Sequence, residues 1–120
     1  PRWYWIGSDA HYGAWIDTAT ARFYIGSKEY GHSNHQCALV WVEWYDADKD
    51  KYVISHDEFD LDCRMVRTLH ATLYDSQNRV IDSSNRSYAD FEDIIPGTNG
   101  EAVYDAVVLL KETRENARRL

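Results

Sequence analysis

The most hydrophobic run of the chain covers residues 37–45. Its even-numbered positions are apolar throughout, and among the odd-numbered ones Leu39 and Trp41 are apolar as well. A strand that is apolar on both sides is typical of the middle of a sheet, where both faces are covered. The pattern therefore predicts a central strand over these residues.

A regular alternation of apolar and polar positions begins at Leu61 and continues to Leu73. This two-residue period is typical of a half-buried strand, and it places Cys63 on the buried side. Arg67 is the one charged residue at an apolar position. It predicts either a β-bulge that turns the side chain outward or a buried guanidinium group with a partner.

Turn residues at 7–9, 46–51 and 75–78 separate further extended segments, and a polar, glycine-containing loop at 26–36 precedes the central strand. The remaining predicted strands are residues 3–6, 11–17, 21–25, 52–55 and 79–83. Successive hairpins of this kind predict an antiparallel meander of about six strands.

The C-terminal segment has the pattern of an amphipathic helix. Pro96 and Gly97 end the preceding segment, and Thr98 stands three residues before Glu101, which is the spacing of a capping box. The apolar residues that follow recur at helical intervals: Val103, Ala106, Val107 and Leu110. We therefore expect an α+β fold, an antiparallel β-sheet with one C-terminal α-helix packed on it, in a single domain over residues 1–120.

Composition and charge narrow the classes of partner. The 120 residues include five Trp and nine Tyr, and the net charge is −7. The negative charge disfavours nucleic acids and anionic membrane surfaces as partners. No apolar run approaches the roughly 20 residues of a membrane-spanning helix.

No set of residues predicts an enzyme or a bound cofactor. Ser55, His56 and Asp57 have the residue types of a catalytic triad, but consecutive strand residues point to alternate faces. Since no acid, base and nucleophile can be placed together on the predicted strands, we expect a protein without enzymatic activity.

His32, His35 and Cys37 lie close together in the chain and have the residue types that bind zinc. A complete site would need a fourth ligand, such as His11 or His56. Because no second His/Cys pair of matching spacing exists, a solvated polar loop is the preferred interpretation. These three residues are weak metal candidates, and we expect no metal.

The chain has two cysteines, Cys37 and Cys63. Small secreted domains that depend on disulfides usually have four or more. One bridge between these two and a pair of free thiols are both consistent with the sequence.

The number of aromatic residues exceeds what one helix can cover on a small sheet. Exposed aromatic side chains are typical of protein interfaces. Trp44, Tyr45 and Tyr52 are the candidate binding patch, and a homodimer formed through such a patch is expected because the helix covers only one face of the sheet.

The order of several short segments resembles the surface-adhesin protein E family of bacterial envelope proteins. The most specific are the Asp-Cys-Arg step at 62–64 and the Pro-Gly-Thr step at 96–98. The others are Trp15-Ile16-Asp17, Leu39-Val40-Trp41-Val42, residues 52–55, Leu73-Tyr74-Asp75 and Val80-Ile81.

The resemblance implies export to the periplasm, the outer membrane or the cell surface, and adhesin-like binding of extracellular or host proteins such as matrix components. It also implies dimers. The family pattern pairs a cysteine in the C-terminal helix with the one at Cys63, but this chain has Val108 at the helix position. By this comparison Cys63 is free or paired with Cys37. The alternative function is a small-molecule or metal-binding periplasmic module.

Overall fold

The computed structural model describes residues 2–86 and 88–119, which form an antiparallel sheet and one helix. The strands are β1 (Trp3–Ser8), β2 (Tyr12–Asp17), β3 (Arg22–Ile25), β4 (Gln36–Asp46), β5 (Lys51–Asp60), β6 (Met65–Tyr74), β7 (Val80–Asn85) and β8 (Glu92–Asp93). The helix, α1, is Asn99–Arg118. The predicted α+β fold is confirmed.

The sheet order is β1-β2-β4-β5-β6-β7, and the two short strands extend it at one end. β3 pairs with the first residues of β4, beyond β2, and β8 pairs with Met65 and Val66 at the start of β6. Seven of the eight strands overlap predicted segments, and only β8 is not predicted from the sequence. As predicted, β4 is central, since it is bordered by β5 on one edge and by β2 and β3 on the other.

The core lies between α1 and one face of the sheet, because the apolar stripe of the helix covers β1 and β2. Its most deeply buried side chains come from β2, β4, β5 and α1: Ile16, Val40, Val42, Phe59, Val103 and Val107. Arg114 fixes the far end of the helix by donating to the backbone oxygens of Thr18 and Ala21, each at 2.5 Å. None of the described residues forms a helix with the length and hydrophobicity of a membrane span.

Thr98 is the N-cap of α1, as the sequence predicts. Its Oγ1 accepts a hydrogen bond from the Glu101 amide at 3.4 Å. The Glu101 side chain in turn accepts one from the Gly97 amide at 3.2 Å. The cap satisfies amides of the first turn that have no partner within the helix.

The region between β5 and β6 differs from the prediction. β5 continues to Asp60, five residues beyond its predicted end, and β6 begins only at Met65. Leu61–Arg64 is a turn that requires a left-handed backbone at Arg64 (φ 56°). The alternating pattern runs across this turn, so the prediction that Cys63 lies on a buried strand face is wrong: Cys63 is exposed.

Of the two alternatives for Arg67, the buried guanidinium group with a partner is the one observed, although a β-bulge is also present nearby. A β-bulge lies two residues away, because His56 pairs with His70 while Asp57 pairs with Thr68, which leaves Leu69 as the extra residue. Arg67 nevertheless stays buried, and its guanidinium group donates to Glu58 Oε1 at 2.7 Å and to Glu29 Oε2 at 2.8 Å. The buried cation is therefore paired with two carboxylates.

Candidate metal centre

Four side chains with metal-binding groups converge at one end of the sheet: His32, His35, Asp60 and Cys63. One ligand atom from each lies within 4.8 Å of the other three. The Nδ1 atoms of both histidines are 2.5 Å from the same oxygen, Asp60 Oδ2. Cys63 Sγ is 3.4 Å from His35 Nδ1.

The pairing of β4 with β5 brings the four residues together. Cys37, near the start of β4, is directly opposite Asp60, the last residue of β5. The loop before β4 contains both histidines, and the turn after β5 contains Cys63. Two segments about 28 residues apart in sequence therefore meet at the same end of the sheet.

Backbone hydrogen bonds hold the histidine loop closed. The amide of Gly26 donates to the His35 carbonyl at 2.8 Å, and the amide of Ser27 donates to the His32 carbonyl at 3.1 Å. Gly26 has φ of +89°, and a Cβ atom there would lie 2.4 Å from the Ser33 carbonyl oxygen. Only glycine fits this position, so the loop depends on it.

Asp60 organises the other half of the cluster. Its Oδ1 accepts the amides of Asp62 at 3.0 Å and Cys63 at 2.8 Å, which orients the turn, while Oδ2 faces the histidines. The side chain is fully buried. Burial alone would raise the pKa of Asp60, but hydrogen bonds with His32, the Cys63 amide and His35 together hold it below its ordinary value.

The cluster has a packed side and an open side. The His32 ring packs against Phe91 with centroids 4.3 Å apart. The His35 ring contacts the His32 ring edge-on, with centroids 5.4 Å apart. The Arg67 guanidinium group lies over the Phe91 ring, 5.0 Å from its centroid, so the buried ion pairs adjoin the same ring. The side chains of His35 and Cys63 are partly or fully exposed, which gives an ion a path from solvent.

Two imidazoles, one carboxylate and one thiol are a ligand set that suits zinc. Bond lengths of about 2.0–2.3 Å place the ligand atoms of a tetrahedral zinc site roughly 3.3–3.8 Å apart. The four atoms here lie within 4.8 Å of one another, and the printed pairs are 2.5 Å and 3.4 Å apart, so small side-chain shifts would bring them to this spacing. Hard ions such as Mg²⁺ and Ca²⁺ prefer oxygen ligands and do not match this set.

The structure places two of the three predicted metal candidates in the cluster, His32 and His35. Cys37 is not part of it: the side chain is buried, its Sγ donates to the His35 carbonyl at 3.6 Å, and burial raises its thiol pKa to about 11. Both cysteines are free thiols. Of the suggested fourth ligands, His11 instead pairs with Asp48 and His56 stacks on Trp41.

Sequence reasoning missed Asp60 and Cys63. A signal was available, because Asp60 and Cys63 are separated by two residues in the same way as His32 and His35. Two ligand pairs with this short gap are a recurrent pattern of zinc sites. A search restricted to His/Cys pairs does not detect it.

The predicted aromatic patch is divided between the two faces of the sheet. Trp44 packs against the core on the helix side. Tyr45 and Tyr52 are cross-strand partners on the opposite face, where Tyr52 also stacks on Tyr74 with centroids 4.9 Å apart. We refer to this second face, which α1 does not cover, as the open face.

Trp41 and His56 stack in parallel at the centre of the open face, with centroids 4.2 Å apart. Ser55 and Asp57 lie opposite Val42 and Val40 on the helix side instead. The three residues that resemble a triad in sequence therefore point to alternate faces, as expected.

A scan against protein-family models finds no match, and neither the curated proteins nor the solved structures yield one. The resemblance to the surface-adhesin protein E family thus has no support from these comparisons.

Proposed function

We propose that this domain binds one divalent transition-metal ion, with zinc the best match, through His32, His35, Asp60 and Cys63. The observation that carries the proposal is the convergence of four ligand atoms of three chemical types within 4.8 Å. They come from two separate segments, so the arrangement depends on the fold and not on local spacing alone.

The ligand set points to a structural role for the ion. Four protein ligands fill a tetrahedral site and leave no position for substrate or activated water. The ion would fasten the histidine loop to the turn after β5, two segments that meet here through side chains and the Leu61 to Gln36 backbone hydrogen bond. Binding would therefore add its free energy to the stability of this end of the sheet.

Isothermal titration of chelator-treated protein with Zn²⁺ tests the proposal. The wild-type chain should bind one ion. His35→Ala should weaken binding by more than about 100-fold, because loss of a mere hydrogen-bond partner of a ligand already costs about 10- to 100-fold. His11→Ala is the matched control, since His11 is an exposed histidine paired with Asp48 away from the cluster. No binding by the wild type, or equal affinities for the two variants, would contradict the proposal.

A second candidate function is protein binding at the open face, favoured by its partly exposed aromatic side chains. Trp41, Tyr45, Tyr52 and Tyr74 are all half-buried there. Aromatic side chains supply much of the binding energy at protein interfaces. The family resemblance supports the same function, in which an exported envelope protein binds extracellular or host matrix proteins.

Binding to immobilised matrix proteins tests this second function. Tyr52→Ser should weaken binding at least about tenfold if the open face is the interface. Tyr88→Ser is the control, because Tyr88 is an exposed tyrosine in the loop after β7. Equal binding by both variants would remove the open face from consideration.

A further inference from the structure

A groove of about 440 Å³ crosses the open face between the metal centre and the stacked pair Trp41 and His56. One row of cross-strand neighbours forms it. Arg22 of β3 is opposite Leu39 of β4, Leu39 is opposite Glu58 of β5, and Glu58 is opposite Arg67 of β6. Four adjacent strands therefore contribute one side chain each.

Of the residues that the structure describes, Glu58 is the one carboxylate that lines the groove, and its oxygens already have hydrogen-bond and ion-pair partners. Glu58 accepts hydrogen bonds from the hydroxyl groups of Tyr24 and Ser27, and it forms a buried ion pair with Arg67 at 2.6 Å. Its side chain is only 6% exposed. The Glu58 charge at the base of the groove is thus buried and paired with Arg67, which also pairs with Glu29.

Two further cations line the groove and have no such partner. Arg22 and Lys28 are both exposed, and within residues 2–86 and 88–119 neither side chain forms an ion pair or a hydrogen bond. This local excess of positive charge stands out in a chain with a net charge of −7. An anion placed between them would gain charge-assisted hydrogen bonds.

The floor of the groove beside these cations is apolar. Leu39 contributes its side chain from β4, and Leu69 contributes the residue that the β-bulge inserts into β6. Both are only partly covered. The groove thus combines an apolar floor with two cations in its lining, and its volume is in the usual range of small-molecule sites.

We propose that this groove binds a small amphipathic carboxylate, with the carboxylate between Arg22 and Lys28 and the apolar body on Leu39 and Leu69. A planar guanidinium group can hold both oxygens of a carboxylate. The bulge at Leu69 has a role in this account, since it adds an apolar side chain where a regular strand would provide none. The site shares no ligand residue with the metal centre.

Titration with octanoate, followed by Trp fluorescence and calorimetry, tests the proposal. Trp41 adjoins the groove and should report binding. Octanamide and inorganic phosphate are the comparison probes, because each retains only one half of the proposed recognition. Octanoate should bind at least tenfold more tightly than either.

Arg22→Gln and Lys28→Gln should each weaken octanoate binding about tenfold or more, which corresponds to the loss of one charge-assisted contact. Lys49→Gln is the control, since Lys49 is an exposed cation in the β4–β5 turn. Melting curves identify any variant that fails to fold, and the other variant then carries the test. Equal binding of octanoate and octanamide, binding of phosphate alone, or unchanged affinity in both groove variants would overturn the proposal. None of these results would bear on the proposed zinc site, because the groove contains none of its ligand residues.

Discussion

Asp57 is a buried carboxylate on the helix side of β5. It is 6% exposed and accepts a hydrogen bond from Thr68 Oγ1 at 2.9 Å. No cation faces it among the described residues, and burial raises its pKa from the ordinary 3.8 to about 6. Above that pH the folded protein must hold an unpaired charge in its interior.

Asp57→Asn is therefore expected to stabilise the protein at neutral pH. Because the folded state binds this proton more tightly than the unfolded state, the wild-type free energy of unfolding falls as the pH rises from about 4 through 6. The variant should gain roughly 1–3 kcal/mol at pH 7 and little at pH 4. Urea denaturation at both pH values measures the difference. A loss of stability at pH 7, or the same gain at both pH values, would contradict this assignment.

Arg67 shows the opposite case, a buried charge with complete pairing. Arg67→Met should lower the free energy of unfolding by about 3–5 kcal/mol, because Glu58 and Glu29 lose their cation while Glu58 remains buried. Arg79→Met breaks the exposed pair with Asp75 and should change the free energy of unfolding far less. Urea denaturation compares the two variants, and equal losses would mean that the buried network contributes no more than a surface pair.

Among the elements, α1 depends on its N-cap. Thr98→Ala should cost about 1 kcal/mol, because the Glu101 amide loses its side-chain acceptor and keeps only the Thr98 carbonyl. Thr113→Ala is the matched control within the helix, where the threonine hydroxyl only donates to the Leu109 carbonyl. Thermal unfolding should show a lower melting temperature for the first variant and little change for the second. Equal melting temperatures would mean that the Thr98 side chain does not stabilise the start of the helix.

The elements that sequence predicts best are those with strong local patterns. β4 is apolar on both faces and α1 has a cap and an apolar stripe, so the sequence predicts both ends of β4 within one residue and the N-cap of α1 at Thr98. The second half of β5 was missed, because its buried residues include Asp57 and Glu58. Their partners, Thr68 and Arg67, lie on the neighbouring strand and leave no local signal.

For the same reason, the sequence favours no metal and offers only two of the four residues of the candidate metal centre as weak candidates. His32 and His35 are close in sequence and were identified, whereas Asp60 and Cys63 join them only through the register of β4 with β5. The alternation that assigned Cys63 to a buried strand face continues across a turn. Periodicity cannot detect such a turn, because it depends on the left-handed backbone at Arg64.

In the whole molecule, α1 covers one face of the sheet and the open face has aromatic side chains without a helix against them. We predict a homodimer through this face. Sedimentation equilibrium should show a species of twice the 14.0 kDa chain mass at micromolar concentration, and Tyr52→Ser should shift it toward monomer. A single 14.0 kDa species at high micromolar concentration would contradict the prediction.

In the proposed tetrahedral metal site, Cys63 and not Cys37 is the sulfur ligand. The absorption spectrum of the Co²⁺-substituted protein tests both parts at once. We predict the intense visible bands of tetrahedral cobalt together with a thiolate-to-cobalt charge-transfer band. Cys63→Ser should abolish the charge-transfer band, while Cys37→Ala should retain it. A weak spectrum like that of hydrated cobalt, or a charge-transfer band that survives Cys63→Ser, would contradict the claim.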